Sequence, residues 1–393
     1  STEAFSESTY RLYSVSSLLQ DGRQKILGVI MKYEYWMARI QGVPVYKKIR
    51  LRECMKSAEA IYYIEEIQLQ KIRFLNENER NKIMQAQKNI GFSVEYEKML
   101  EKSIRFVPYF SDEYPKQLRE IPDFPYAIYV KGRLPGEEQK NVALIGARRC
   151  TPYGEKYAID FARALAECGV GIISGMARGI DGMGHRGALL AGGQTYAVLG
   201  SGVDVCYPRE HIGLYTDILE QGGGILSEQP PGTAPLPKNF PARNRIISGL
   251  SDAVLVLEAG GKSGSLITVD MALEQVCDVY ALPGPVNSTL SYGCNRLIRQ
   301  GAGLLLSPDS LIEEWNLKKT RNFCGSKKEI KNEKTLESTE KLVYSCLGLY
   351  PKDLNQLVRE TKLDIKDVLE KLISLELQGL ICEISKNHYI ISG

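Results

Sequence analysis

Val142-Ala-Leu-Ile-Gly-Ala-Arg-Arg149 is a run of four apolar residues that breaks onto a glycine and two arginines. A run this short, apolar throughout and closed by glycine, reads as a strand buried on both faces. The same pattern recurs downstream. Val170-Gly-Ile-Ile173 precedes Ser174-Gly175, Thr195-Tyr-Ala-Val-Leu199 precedes Gly200-Ser-Gly202, and Ala253-Val-Leu-Val-Leu257 precedes Gly260-Gly261. Val279-Tyr-Ala-Leu282 closes the series, and helical patterns lie between, as at 153–168 and 210–220. Apolar strands alternating with helices predict an α/β domain with a Rossmann-like parallel sheet, assigned to 105–317. Arg105–Phe110 and Ala127–Lys131 read as two leading strands.

Upstream, residues 24–104 look helical. Tyr35, Trp36, Ile40, Ile49, Leu51, Met55 and Ile61 recur at roughly helical spacing, which predicts a small helical N-terminal domain. Residues 1–23 are polar and Ser-rich and read as a disordered or artificial extension. Downstream, 318–336 carries seven lysines and arginines with few apolar side chains, the mark of a basic linker. Residues 337–393 order three helical patterns before two strands, Gly379–Ile384 and His388–Ile391, which predicts a winged-helix domain. Asp364 is placed to cap its third helix, whose expected apolar stripe is Val368, Leu369, Leu372, Ile373 and Leu375. Asp364, Asp367 and Glu370 stand there against Lys366 and Lys371, poor charge for a phosphate-facing helix. A protein contact is therefore expected of this domain ahead of duplex reading.

Composition bounds the rest. The chain has 393 residues and a net charge of +3, so any nucleic-acid reading must rest on local chemistry. The nine cysteines are scattered and never spaced C-x-x-C, and there are three histidines, so neither a disulfide framework nor a metal site is expected. The thiols read as reduced, in a cytoplasmic protein. No stretch is long and apolar enough to predict a membrane span.

The glycine turns fall where parallel sheets bind ligands. Gly146-Ala-Arg148 opens a helix and either holds a phosphate or makes a tight turn with a surface arginine. Ser174-Gly-Met-Ala-Arg-Gly-Ile-Asp-Gly-Met-Gly-His185 places Gly175, Arg178 and Gly179 in one loop. Asp181 and His185, at i and i+4, read as a structural cap and hydrogen bond, since no nucleophile is evident nearby. Gly260-Gly-Lys-Ser-Gly-Ser265 suggests an anion nest from Lys262, Ser263 and Gly264. It is no Walker loop, because the position that needs its first glycine is Val256. Pro237-Lys-Asn-Phe-Pro-Ala-Arg-Asn-Arg-Ile-Ile-Ser-Gly249 gathers Lys238, Arg243 and Arg245 around Phe240 and Asn244. A basic groove with an aromatic platform is the chemistry of single-strand binding, while the alternative is a helix start with Phe240 in the core.

Gly146-Ala-Arg148, Ser174-Gly-Met-Ala-Arg-Gly-Ile-Asp181, Phe240-Pro-Ala-Arg-Asn-Arg-Ile-Ile-Ser-Gly-Leu250 and Gly293-Cys-Asn-Arg-Leu-Ile-Arg-Gln-Gly-Ala302 together resemble the DprA/Smf family of DNA-processing proteins. The resemblance implies a protein of natural transformation that binds and protects incoming single-stranded DNA and helps load the recombinase RecA. It implies a homodimer formed through the Rossmann-like domain, no catalytic residues and no cofactor. By the same carry-over, Arg148 and the Phe240–Arg245 segment line the DNA groove, with Arg148 and Arg243 on phosphates and Lys238 and Lys262 nearby.

Two enzymatic readings compete. Related Rossmann-like nucleotide phosphoribohydrolases carry P-G-G-x-G-T-x-x-E, and here the place of the catalytic glutamate is Thr268, which cannot serve as a carboxylate acid–base group. A dinucleotide-binding dehydrogenase would need G-x-G-x-x-G after the first strand, where this chain has Gly146-Ala-Arg-Arg-Cys-Thr151.

Overall fold

The computed structural model describes residues 28–319, 338–347, 352–378, 380–385 and 388–391. The extension expected at 1–23, most of the linker expected at 318–336, and Gly379 lie outside the described residues.

The chain divides into two units. The larger is built on a nine-stranded sheet. Its strands are β1 (Arg105–Pro108), β2 (Ala127–Gly132), β3 (Asn141–Ile145), β4 (Gly171–Ser174), β5 (Thr195–Leu199), β6 (Gly224–Ser227), β7 (Ala253–Val256), β8 (Asp278–Ala281) and β9 (Gly303–Leu304). They lie in the order β1-β2-β6-β5-β4-β3-β7-β8-β9. From β6 to β9 every pair is parallel, and β1 and β2 add on antiparallel, with Tyr129 opposite Ser227. β3, β4 and β5 are buried at every residue, because both faces of the parallel sheet are covered. Full burial of a side chain such as Leu144 or Ile172 contributes about 1.5–3 kcal/mol.

One face is covered by helices 28–39, Val45–Met55, Glu77–Gln87 and Phe92–Glu101. Their Tyr35, Trp36, Leu51 and Ile83 share one core with Tyr129, Leu199 and Ile225 of the sheet. The other face is covered by helices Asn239–Gly249, Ser265–Glu274 and Tyr292–Arg299, through Ile246, Ile247, Val269 and Leu297 packed on Ile145, Ile173 and Val254. No described helix is long and apolar enough to cross a membrane.

The chain runs from β3 to β6 toward one edge, then returns to lay β7, β8 and β9 on the other side of β3. The loops leaving β3 and β7 therefore part in opposite directions. The crevice between them, at the carboxyl ends of two adjacent parallel strands, is where such sheets bind ligands.

The smaller unit is a winged helix. Helices Ser338–Cys346, Leu354–Thr361 and Ile365–Leu377 enclose Val343, Leu357, Val368, Leu372 and Leu375. The expected two-stranded wing, β11 (Ile381–Ser385) with β12 (His388–Ile391), gains a third strand, β10 (Lys352–Asp353), too short to be read from the sequence. Asp364 is the N-cap residue, but its side chain makes no cap hydrogen bond. Ile373, expected in the apolar stripe, is 56% exposed instead, because the core is reached by Val368, Leu372 and Leu375 alone on that side of the helix.

Candidate nucleic-acid interface

The crevice opens into a cleft of about 780 Å³. The turn after β3 supplies Gly146, Arg148 and Arg149, and the turn after β7 supplies Lys262, Ser263 and Gly264. Helix Asn239–Gly249 lays Phe240, Arg243, Asn244 and Ile247 along it. Arg148, Arg149 and Lys262 are exposed, and among the described residues no carboxylate pairs with any of them. Such unpaired cations on glycine-rich turns suit an anion. Ser263 Oγ and Ser265 Oγ lie 2.7 Å apart and order the second turn from within.

Phe240 is neither plainly core nor plainly surface. It is half-buried, with its ring against the backbone of Gly200, where an added methyl carbon would stand 3.1 Å from the ring. Tyr207 lies 5.7 Å away, tilted by 48°, and the guanidinium carbons of Arg148 and Arg243 stand 5.8 and 5.9 Å from the ring centroid. Gly200 thus allows the aromatic ring to come close against the backbone at the cleft.

Arg243 does not reach outward. It is 7% exposed, and Nη1 donates to the carbonyls of Gly175, at 3.0 Å, and Val198. Nε donates to Asn244 Oδ1 at 3.2 Å, so the expected base-edge reader at 244 is half committed to its neighbour. Burial lowers the Arg243 pKa to about 10, and the nearby Asp181 carboxylate opposes the shift. Burial raises the Asp181 pKa, opposed by Arg243 and by backbone N–H donors including Gly175, whose N lies 3.1 Å from Oδ2.

The expected Asp181–His185 hydrogen bond is not formed. His185 Nδ1 lies 2.6 Å from Thr195 Oγ1, which itself donates to the Ile172 carbonyl, because the helix turns His185 toward β5 and Asp181 toward the Gly175 turn. Burial, first, holds the imidazole pKa down to about 3, so the ring is neutral.

The remaining sequence candidates divide. Gly175 lies beneath the cleft against Arg243, and Gly179 packs on the backbone of Ala147 and Arg148. Lys238 is exposed at the start of its helix but does not line the cleft. Arg178 pairs with Glu210, with Nη2 to Oε2 at 3.0 Å. Arg245 turns to the far side of its helix, onto Glu228 at 2.8 Å and the carbonyl of Asp123 at 2.9 Å. Sequence reasoning missed Tyr207 and Leu290, which come from loops with no telling spacing, and Ile267, from the first turn of helix Ser265–Glu274, all on the walls. Thr268, at the place of the glutamate in the hydrolase motif, lines the cleft as a buried hydroxyl.

A family model described as DNA recombination-mediator protein A matches residues 105–316, and one described as DprA winged helix domain matches 328–385. The chain is similar to Protein Smf of Synechocystis, 33% identical over 384 residues that cover 89% of this chain and 96% of that one. It is 47% identical to Protein Smf of Escherichia coli over 207 residues, which span 53% of this chain and 55% of that one. The X-ray structure of DNA processing protein A from Streptococcus pneumoniae matches with a TM-score of 0.63 at 34% identity, covering 72% of this chain and 97% of that one.

Proposed function

Because the chain belongs to the DNA recombination-mediator protein A family, we propose that its cleft binds single-stranded DNA. The observation that carries this reading is the meeting of unpaired Arg148, Arg149 and Lys262 with the Phe240 ring at one sheet crevice. Cations on glycine turns take backbone phosphates of any sequence, and an aromatic ring takes any base, which together make sequence-tolerant single-strand binding. In this reading Lys238, beside the entrance, adds long-range attraction rather than a fixed contact. The protein protects incoming DNA in natural transformation, passes it to RecA, and acts in the cytoplasm as a homodimer built through its Rossmann-like domain.

The test is a salt-dependent anisotropy titration with labelled oligo-thymidine. Arg148→Ala is expected to weaken binding and to flatten the plot of log K against log salt by about 0.7, one phosphate contact on a single strand. Tighter binding to duplex than to single strand, or an unchanged Arg148→Ala slope, counts against the reading. The phosphoribohydrolase alternative is set aside because Thr268 offers a hydroxyl where that chemistry uses a carboxylate. Release of free base from a nucleoside monophosphate by the purified chain would restore it.

A further inference from the structure

Arg243 sits one helical turn beyond Phe240, and its guanidinium is spent on the protein. Nη1 donates to the carbonyls at the ends of β4 and β5, from Gly175 and Val198, and Nε donates to Asn244 Oδ1. A planar fork bonded to two strand ends fixes the helix on the sheet in a way that a point charge does not. Nη2 faces Gly175, where an added methyl carbon would stand 2.5 Å from it and 2.7 Å from Asp181 Oδ2. Gly175 is therefore wedged between the two charged groups, and its own N–H donates to Asp181. The Asp181 charge compensates the guanidinium, which a buried cation requires. Above this assembly lies the Phe240 ring.

Resting on the single-strand reading above, we infer that Arg243, braced by Asp181 across Gly175, is a positioning residue that fixes the Phe240 ring at the cleft and binds no phosphate itself. The two roles leave different traces. A phosphate ligand contributes to the salt dependence of binding, whatever the base. A residue that orients a stacking ring contributes only when a base is present, and leaves the salt slope alone.

The experiment uses the full chain and two labelled oligonucleotides of equal length, one of thymidine and one abasic, each titrated across a salt series. The proteins are wild type, Arg243→Gln, Gly175→Ala, and Arg148→Ala as the phosphate control. Gly175→Ala keeps every charge and drives its added methyl between the guanidinium and Asp181, so it decides the matter even where Arg243→Gln fails to fold. Arg243→Gln and Gly175→Ala are expected to lose about fivefold or more on thymidine, to stay within about twofold on the abasic strand, and to keep the wild-type slope. A slope lowered by about 0.7 in Arg243→Gln, or a full thymidine preference in Gly175→Ala, overturns the inference. So does a wild type that binds both strands equally. A wild type that binds neither strand overturns the single-strand reading itself, which keeps the two failures apart.

Discussion

Helix Asn239–Gly249 and helix Ile365–Leu377 both stand where the sequence raises nucleic acid, and they differ in what they do with charge. The stretch 237–249 has three cations and no acid, yet two of the cations turn away from the cleft. Arg243 braces the sheet and Arg245 pairs with Glu228, so the helix brings a ring and a shape, while the exposed cations come from the turns after β3 and β7. Ile365–Leu377 balances its lysines with Asp367, Glu370 and Glu376, and Lys371 Nζ lies 3.3 Å from Glu370. Its Ile365, Ile373 and Leu377 are exposed. Counting charges along a helix would rank the first for its arginines; the structure ranks it for Phe240 and for the loops beside it.

The sharpest way to break this contrast is to remove one apolar side chain from each helix. Phe240→Ala is expected to weaken oligo-thymidine binding by roughly 5- to 150-fold, the worth of one stacked base. Ile373→Ala is expected to leave that affinity within about twofold, since the contrast gives that helix no part in holding the strand. Anisotropy on both variants decides it, and equal losses would erase the distinction.

A smaller effect probes the interior between helix Ile180–Leu190 and β5. His185 is held neutral in the folded chain down to about pH 3, whereas an unfolded histidine takes a proton near its ordinary pKa. The unfolded state thus binds the extra proton, and stability falls as pH drops below that ordinary value. The loss is about 2 kcal/mol between roughly pH 6.5 and 5. Denaturant unfolding of wild type and His185→Gln at both ends of that window measures it, and a variant with the same pH slope as wild type would refute the role given to this ring.

The smallest effect is expected at Lys366 and Lys371. Replacing both by alanine should change single-strand affinity by less than about twofold and leave the salt slope as it was. A slope lower by about 0.7 per lysine would make Ile365–Leu377 a second phosphate-binding helix and end the comparison.

Much of the fold was legible because short apolar runs closed by glycine have few other uses. β3, β4, β5, β7 and β8 all fall on such runs. β6, led by glycines at 222–224, and the two-residue β9 carry too little pattern to be read, and only their pairing with β5, β2 and β8 makes them strands. In the site, the turns at Gly146–Arg148 and Lys262–Gly264 were legible for the same reason as the strands that precede them. Tyr207 was not, since it enters from a loop remote in sequence.

The sequence by itself determined the strand–turn–helix rhythm, the glycines at the strand ends and the absence of a Walker loop, all of which are local properties of residue type and spacing. Tertiary structure alone decided the direction of the arginines. Residues 243 and 245 lie about 200° apart on a helix, so one must face the sheet if the other faces outward. Which of them does so depends on where the carbonyls of Gly175 and Val198 stand, and those are brought to the helix only by the parallel pairing of β4 with β5.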